Sequence, residues 1–531
     1  MSTKQNKQKH LLALAVALAI GTAGGNVWAA NNCAVGGTES NPTDSACGDN
    51  SNAYGSYDTS VGYFAYSGQP GAGTYKNHAT AVGAGSYASG NYSTSIGSYS
   101  SAEDTGALAV GYQAHAHGYA DVAFGNSSQA YQAYSSAMGN SAIANGVRAT
   151  SSGFDSSATG QNSTATGSES YAYGTNNTAT GAYSFAAGGY TGTSFGNPVY
   201  SFTQGTTANG AYAHAAGDFS SASGYKSVAA GTFTGGYYSA ATGATSNGAY
   251  SHAIGDNTSA FGYRSYAGVN ESTAIGDYAS AGDHGATATG SHANAAGYDS
   301  TASGRYSYAG ADYSVATGAF SKATGDYSTA TGSRSHAYGD NSTANGYASH
   351  AYGDNSTASG AHSTALGDNS TAEGANSYAK GASSTAIGYN SYAATDHSTA
   401  IGAYSRATGA YSTAIGDGSN AYGDNSTAVG QGSYAKGSNS SASGYNSQAI
   451  GDNSTASGAN STALGANSTA TGEGSYAKAD GSTATGTGSH AYGLNSTASG
   501  YNSAASGKDS TATGTGSYAK GDYSTATGAY S

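Results

Sequence analysis

Proline, tryptophan and methionine are nearly missing from this 531-residue chain, which has three, one and two of them. Asp, Glu, Lys and Arg together make up only 8% of the residues, against about a quarter in ordinary soluble domains. Intrinsic disorder usually couples high charge with few aromatics, and a chain this poor in charge with 47 tyrosines fits neither condition. The net charge of −13 is spread thinly and there is no basic run, so nucleic acid and anionic membrane are not expected partners. No nucleophile–base pair, phosphate loop or zinc spacing stands out, and Gly-x-Gly matches carry no weight among 84 glycines. Neither enzymatic activity nor a cofactor is expected.

Long apolar runs are also missing, except at the start. Lys4, Lys7 and Lys9 precede an apolar stretch from Leu11 to Ile20, and Val27-Trp28-Ala29 places small residues at −3 and −1 of a cleavage site. Residues 1–29 therefore read as a secretory signal. No other segment is expected to cross a bilayer as a helix. Cys33 and Cys47 are the whole cysteine content; an even count in an exported chain predicts a disulfide between them.

What the chain has in abundance is a repeat. Its period is seven, in the form x-x-Ser-x-Ala-x-Gly, and from Ala249 to Gly528 it runs for forty heptads without a register break. A coiled coil needs large apolar residues at two heptad positions, but Ser, Ala or Gly would stand there. Glycine at this frequency would also cost a helix about 1 kcal/mol each time. Collagen requires Gly at every third residue. A strand reading succeeds: in Ser-x-Ala-x-Gly, Ser, Ala and Gly share one face and the variable residues share the other. Gly and the two residues after it form a tight turn.

Alternate heptads differ in kind. One class carries Thr357/Ser359, Thr371/Glu373, Thr385/Ile387, Thr399/Ile401, Thr413/Ile415 and Thr427/Val429 at its variable positions. The other carries bulkier pairs such as Tyr378/Lys380, Tyr392/Ala394 and Tyr434/Lys436, continuing to Tyr476/Lys478 and Tyr518/Lys520. The unit is therefore fourteen residues, a coil of two short strands, and the fold class is an all-β parallel solenoid with a thin Ala/Ser/Gly interior. Stacked Thr, Ile and Val would leave an apolar stripe in water, so Ile275, Ile387, Ile401, Ile415 and Val429 are expected at a seam between subunits. Tyr378, Lys380, Tyr392, Tyr434, Lys436, Tyr476, Lys478, Tyr518 and Lys520 are expected to form the exposed ladder that meets a partner.

Along the chain, residues 30–76 read as an N-terminal cap with imperfect repeats, 77–188 as a first regular roll, 189–248 as a segment interrupted by insertions, and 249–531 as a long regular roll. Ser272-Thr273-Ala274-Ile275-Gly276, Ser384-Thr385-Ala386-Ile387-Gly388 and Ser412-Thr413-Ala414-Ile415-Gly416 resemble the head repeats of YadA-like trimeric autotransporter adhesins. The resemblance implies a left-handed parallel β-roll, three chains per head, and a surface-exposed adhesin that contacts host matrix, cell-surface protein or glycan. It places the chain at the bacterial surface or outside the cell. That family continues into a coiled-coil stalk and a strand-built anchor; neither is expected in this sequence, which stops inside a heptad at Ala529-Tyr530-Ser531.

Other patterns compete with this reading. His336 and His350 lie one coil apart, with His490 in the same motif, and a stacked pair is a possible transition-metal site; a plain surface ladder is favoured. Asp340, Asp354 and Asp368 also recur by coil, where solvated turns are favoured over cation binding. Thr-x-Thr pairs such as Thr329/Thr331 and Thr483/Thr485 resemble ice-binding solenoids, which makes a water-ordering surface the alternative function.

Overall fold

The computed structural model describes residues 37–39, 43–69, 78–187, 190–194, 197–200, 203–234 and 237–531. The expected signal segment and Cys33 lie outside the described residues. Every described element is a strand, and no helix among the described residues is long and apolar enough to cross a membrane. The strands alternate between two ladders of 33 strands each, and a parallel β-solenoid results. The chain divides into two compact units, 1–169 and 170–531.

One coil of the second unit shows how the sequence makes this fold. Thr385–Ile387 pairs in parallel with Thr371–Glu373 before it and Thr399–Ile401 after it, each fourteen residues away. Tyr392–Ala393 pairs in the same way with Tyr378–Ala379 and Arg406–Ala407. We call the first ladder the Thr sheet and the second the Tyr sheet. Between them Ala386 and Ala393 are fully buried, beside Ser384 and Ser391. Only small side chains fit there, because the chain reverses after two or three residues and leaves the sheets close together. Alanine buries little area, so cohesion comes chiefly from backbone hydrogen bonds that run from coil to coil, such as Gly388 N–H to Glu373 O at 2.7 Å and Tyr392 N–H to Ser405 O at 2.9 Å.

The two turns of a coil differ. After the Thr sheet comes a glycine at positive φ, as in Gly388 (φ 124°), then two turn residues, the second also at positive φ, as in Asn390 (φ 53°). The Ser391 N–H closes the turn onto Gly388 O at 3.3 Å. A Cβ on Gly388 would lie 2.5 Å from Gly402 O of the next coil, so glycine is required both by φ and by contact. We call this the glycine edge. The opposite turn, after the Tyr sheet, carries a recurring aspartate and is the aspartate edge.

Insertions leave the ladders in register. The step from Thr59 to its partner Thr80 is 21 residues long. Phe185 pairs with His214, 29 residues on, and Val228 with His252, 24 residues on. The extra residues fold back as antiparallel hairpins, Tyr190–Ser194 with Asn197–Tyr200 and Phe233–Thr234 with Tyr237–Tyr238. A solenoid tolerates such loops because each coil contacts only its neighbours.

Candidate functional site: the exposed columns

On the Tyr sheet the outward residue of each strand stacks over its equivalent one coil away. Tyr378, Tyr392, Arg406, Asn420 and Tyr434 form one register column. The Tyr378 and Tyr392 rings lie 5.5 Å apart and nearly parallel, and the Arg406 guanidinium sits 5.7 Å from the Tyr392 centroid, a cation–π distance. With Asn376, Asn390 and Tyr404 these residues line a shallow groove of about 450 Å³ that has no acidic lining residue. Tyr434 meets Tyr422, and Tyr476 meets His490 and Tyr492, whereas Tyr518 is 51% exposed. Lys380, Lys436, Lys478 and Lys520 are all exposed. They do not stack on one another; the last three recur every third coil, with Ile450 and Leu464 or Tyr492 and Ser506 between them. The Tyr sheet thus presents aromatic, amide and cationic groups repeatedly, not at one centre.

On the Thr sheet Ile387, Ile401, Ile415 and Val429 occupy one unbroken outward column. Ile275 lies on the same ladder beside Phe261. Ile415 and Ile275 are 38% and 42% exposed. The first unit holds a longer apolar column that the sequence reading passed over, from Val61 through Val82, Ile96, Val110 and Phe124 to Met138. Its signal was in the sequence, since each residue directly precedes the turn glycine of every second heptad. The same column in the second unit also holds Glu373 and Asn345, so the threonine array is not flat and two residues wide throughout. Nothing supports the water-ordering alternative.

The recurring aspartates have a role that spacing alone did not reveal. Asp340 Oδ1 accepts the backbone N–H of Asp326 at 2.9 Å; Asp354 does the same for Asp340, and Asp368 for Asp354. Each carboxylate therefore ties its turn to the preceding one. His336 and His350 stack with centroids 4.9 Å apart, and His336 Nδ1 is 2.9 Å from the Tyr338 hydroxyl. Burial, then the charges of His350 and Lys322, push the His336 ring below the usual imidazole range; burial and His362 do the same to His350. Among the described residues no group of three His, Cys, Asp or Glu side chains is placed to hold a metal ion. Cys47 ends the strand Ser45–Cys47 and is disulfide-bonded; its expected partner Cys33 lies outside the described residues.

Comparison with known proteins gives a consistent picture. The YadA head domain repeat matches in seventeen segments that run, with gaps, from residue 76 to residue 191 and from 253 to 531. Among solved structures, the crystal structure of the collagen-binding domain of the Yersinia adhesin YadA is similar at 29% identity, covering 32% of this chain and 69% of that one, with a TM-score of 0.17. No curated protein matches. The family matches cover well over half of the sequence, in the phase of the coils described above, and on that basis the chain belongs to the YadA head-repeat family.

Proposed function

We propose that this chain is the exported head of a bacterial surface adhesin, non-enzymatic, acting at the cell surface or outside the cell. It attaches to host matrix, cell-surface protein or glycan through repeated contacts along the roll. The observation that carries this reading is the recurrence of exposed Tyr, Lys, Arg and Asn on the Tyr sheet, coil after coil, within a head-repeat family member. Tyrosine offers large contact area for little loss of rotamer freedom, and many weak contacts add up through effective concentration. A homotrimer packed across the apolar column of the Thr sheet is part of the proposal, and the relative's collagen-binding name makes a fibrous matrix protein a reasonable first partner to test.

Removal of one fourteen-residue coil, for example 378–391, preserves register and joins equivalent turns. Attachment of the purified chain to matrix-coated surfaces should then weaken in small steps as coils are removed. Complete loss after deletion of any single coil within 249–528 would place adhesion at one local site and sink the distributed reading.

A further inference from the structure

The glycine edge of the second unit carries a feature separate from the Tyr-sheet columns. From Tyr183 to Phe320 successive rings on this edge touch without a break, with centroids 4.5–6.0 Å apart. Four exposed cations are set into the same edge: Lys226, Arg264, Arg305 and Arg334. Lys226 Nζ lies within 5.8 Å of three tyrosine centroids. The Arg264 guanidinium lies within 5.5 Å of Tyr250, Tyr263 and Tyr278 and donates to the Tyr278 hydroxyl at 3.2 Å. Arg305 rests against Phe320, and Arg334 donates to the Tyr347 hydroxyl at 2.7 Å.

None of these cations has a carboxylate within salt-bridge distance among the described residues. Asp277, the one carboxylate on this edge between residues 212 and 348, is occupied by the Tyr263 N–H. The aspartate edge of the same coils holds Asp256, Glu271, Asp299, Asp312, Asp326 and Asp340 and no Lys or Arg. The coils are therefore charged oppositely on their two edges, inside a chain whose net charge is −13.

We propose that this edge binds a linear acidic polysaccharide, one bearing carboxylate or sulfate groups. The cations recur at intervals of two or three coils, about 10–14 Å at the inter-strand spacing, so an extended polyanion meets several at once while a small anion meets one. Guanidinium forks pair with such groups in two parallel hydrogen bonds. Single-stranded nucleic acid needs open ring faces to stack its bases. Here His292, Tyr306 and Phe320 turn their faces to one another, at interplanar angles of 23° and 10°. Ring edges and phenol hydroxyls remain, which suit sugar hydroxyls. The proposal deepens the adhesive reading by naming a ligand class for a second surface.

The test measures binding of the full chain to heparin, hyaluronate, neutral dextran and single-stranded DNA at low and high salt, with attachment to matrix-coated surfaces measured in parallel. The native chain should bind heparin or hyaluronate, weaken as salt rises, and leave dextran unbound. The variant R264Q/R305Q/R334Q should lose about tenfold or more of that affinity, as expected for lost charge-assisted contacts, while K436Q/K478Q/K520Q on the Tyr sheet retains it. Absence of binding to both acidic polysaccharides, equal losses in the two variants, or stronger binding of DNA overturns the inference. Attachment to matrix with no polysaccharide binding overturns it and leaves the adhesive reading standing; polysaccharide binding without matrix attachment supports it and removes the general one.

Discussion

Two serines seven residues apart look alike in the sequence and differ in the fold. Ser377 leads into the Tyr sheet, and its Oγ donates to Gly374 O at 2.8 Å. Ser370 leads into the Thr sheet, is fully buried, and its Oγ has no protein partner. A buried hydroxyl without a hydrogen bond is a cost, while one that makes its bond contributes about 1 kcal/mol. Elsewhere alanine replaces serine before a Thr-sheet strand, as in Ala244 and Ala286, both fully buried. Ser370→Ala should therefore leave stability unchanged or raise it, and Ser377→Ala should lower it by about 1 kcal/mol. Hydrogen exchange of the flanking coils reads the difference locally; equal losses at both positions would contradict the assignment.

At the scale of the turn, the two glycine columns are not equivalent. On the glycine edge the column from Gly248 to Gly528 is glycine without exception. Its members sit at φ values that L side chains rarely adopt, 126° at Gly402, where a Cβ would stand 2.5 Å from Gly416 O. On the aspartate edge the corresponding column admits Ala311, Thr395 and Ala479, none of them at positive φ. Gly402→Ala should cost at least about 1–3 kcal/mol for the backbone strain alone. Gly409→Ala, on the tolerant edge, should cost clearly less. Because a long repeat array does not unfold as one unit, the measurement is hydrogen-exchange protection in coils 399–426 of each variant. A Gly409→Ala loss as large as that of Gly402→Ala would mean that close approach, not φ, governs both columns.

For the whole molecule the open matter is what covers the apolar column of the Thr sheet. Ile401 and Ile415 stand next to each other on it, and as a single chain leaves them they are partly open to water. The proposed seam buries them in a homotrimer. Ile401→Lys with Ile415→Lys would then bring like charges together across the three-fold axis, costing several kcal/mol per buried unpaired charge. Light scattering of the native chain at micromolar concentration should give a trimer and that of the double variant a smaller species, whereas Tyr392→Lys with Tyr434→Lys should leave assembly intact. A monomeric native chain, or equal effects of the two pairs, would remove the seam from the Thr sheet.

Most of the architecture was legible in the residues. The seven-residue period, the Ser-x-Ala-x-Gly alternation and the split of the heptads into two classes already specified parallel coils of fourteen residues with an alanine interior. That is a local property: a strand two or three residues long has only one way to place Ala inside and Thr or Tyr outside, and the turn glycine leaves no other phase. The family resemblance rested on the same motifs. What needed the folded chain was everything that depends on which side chains meet across coils. The aspartates became acceptors for the turn before them only once stacking set a carboxylate beside a backbone N–H fourteen residues earlier. The continuous ring column from Tyr183 to Phe320, its four uncompensated cations and the opposite charge of the far edge emerged in the same way. Those residues are scattered irregularly along the sequence, and it is the closing of each coil at the inter-strand spacing that lines them up on one edge.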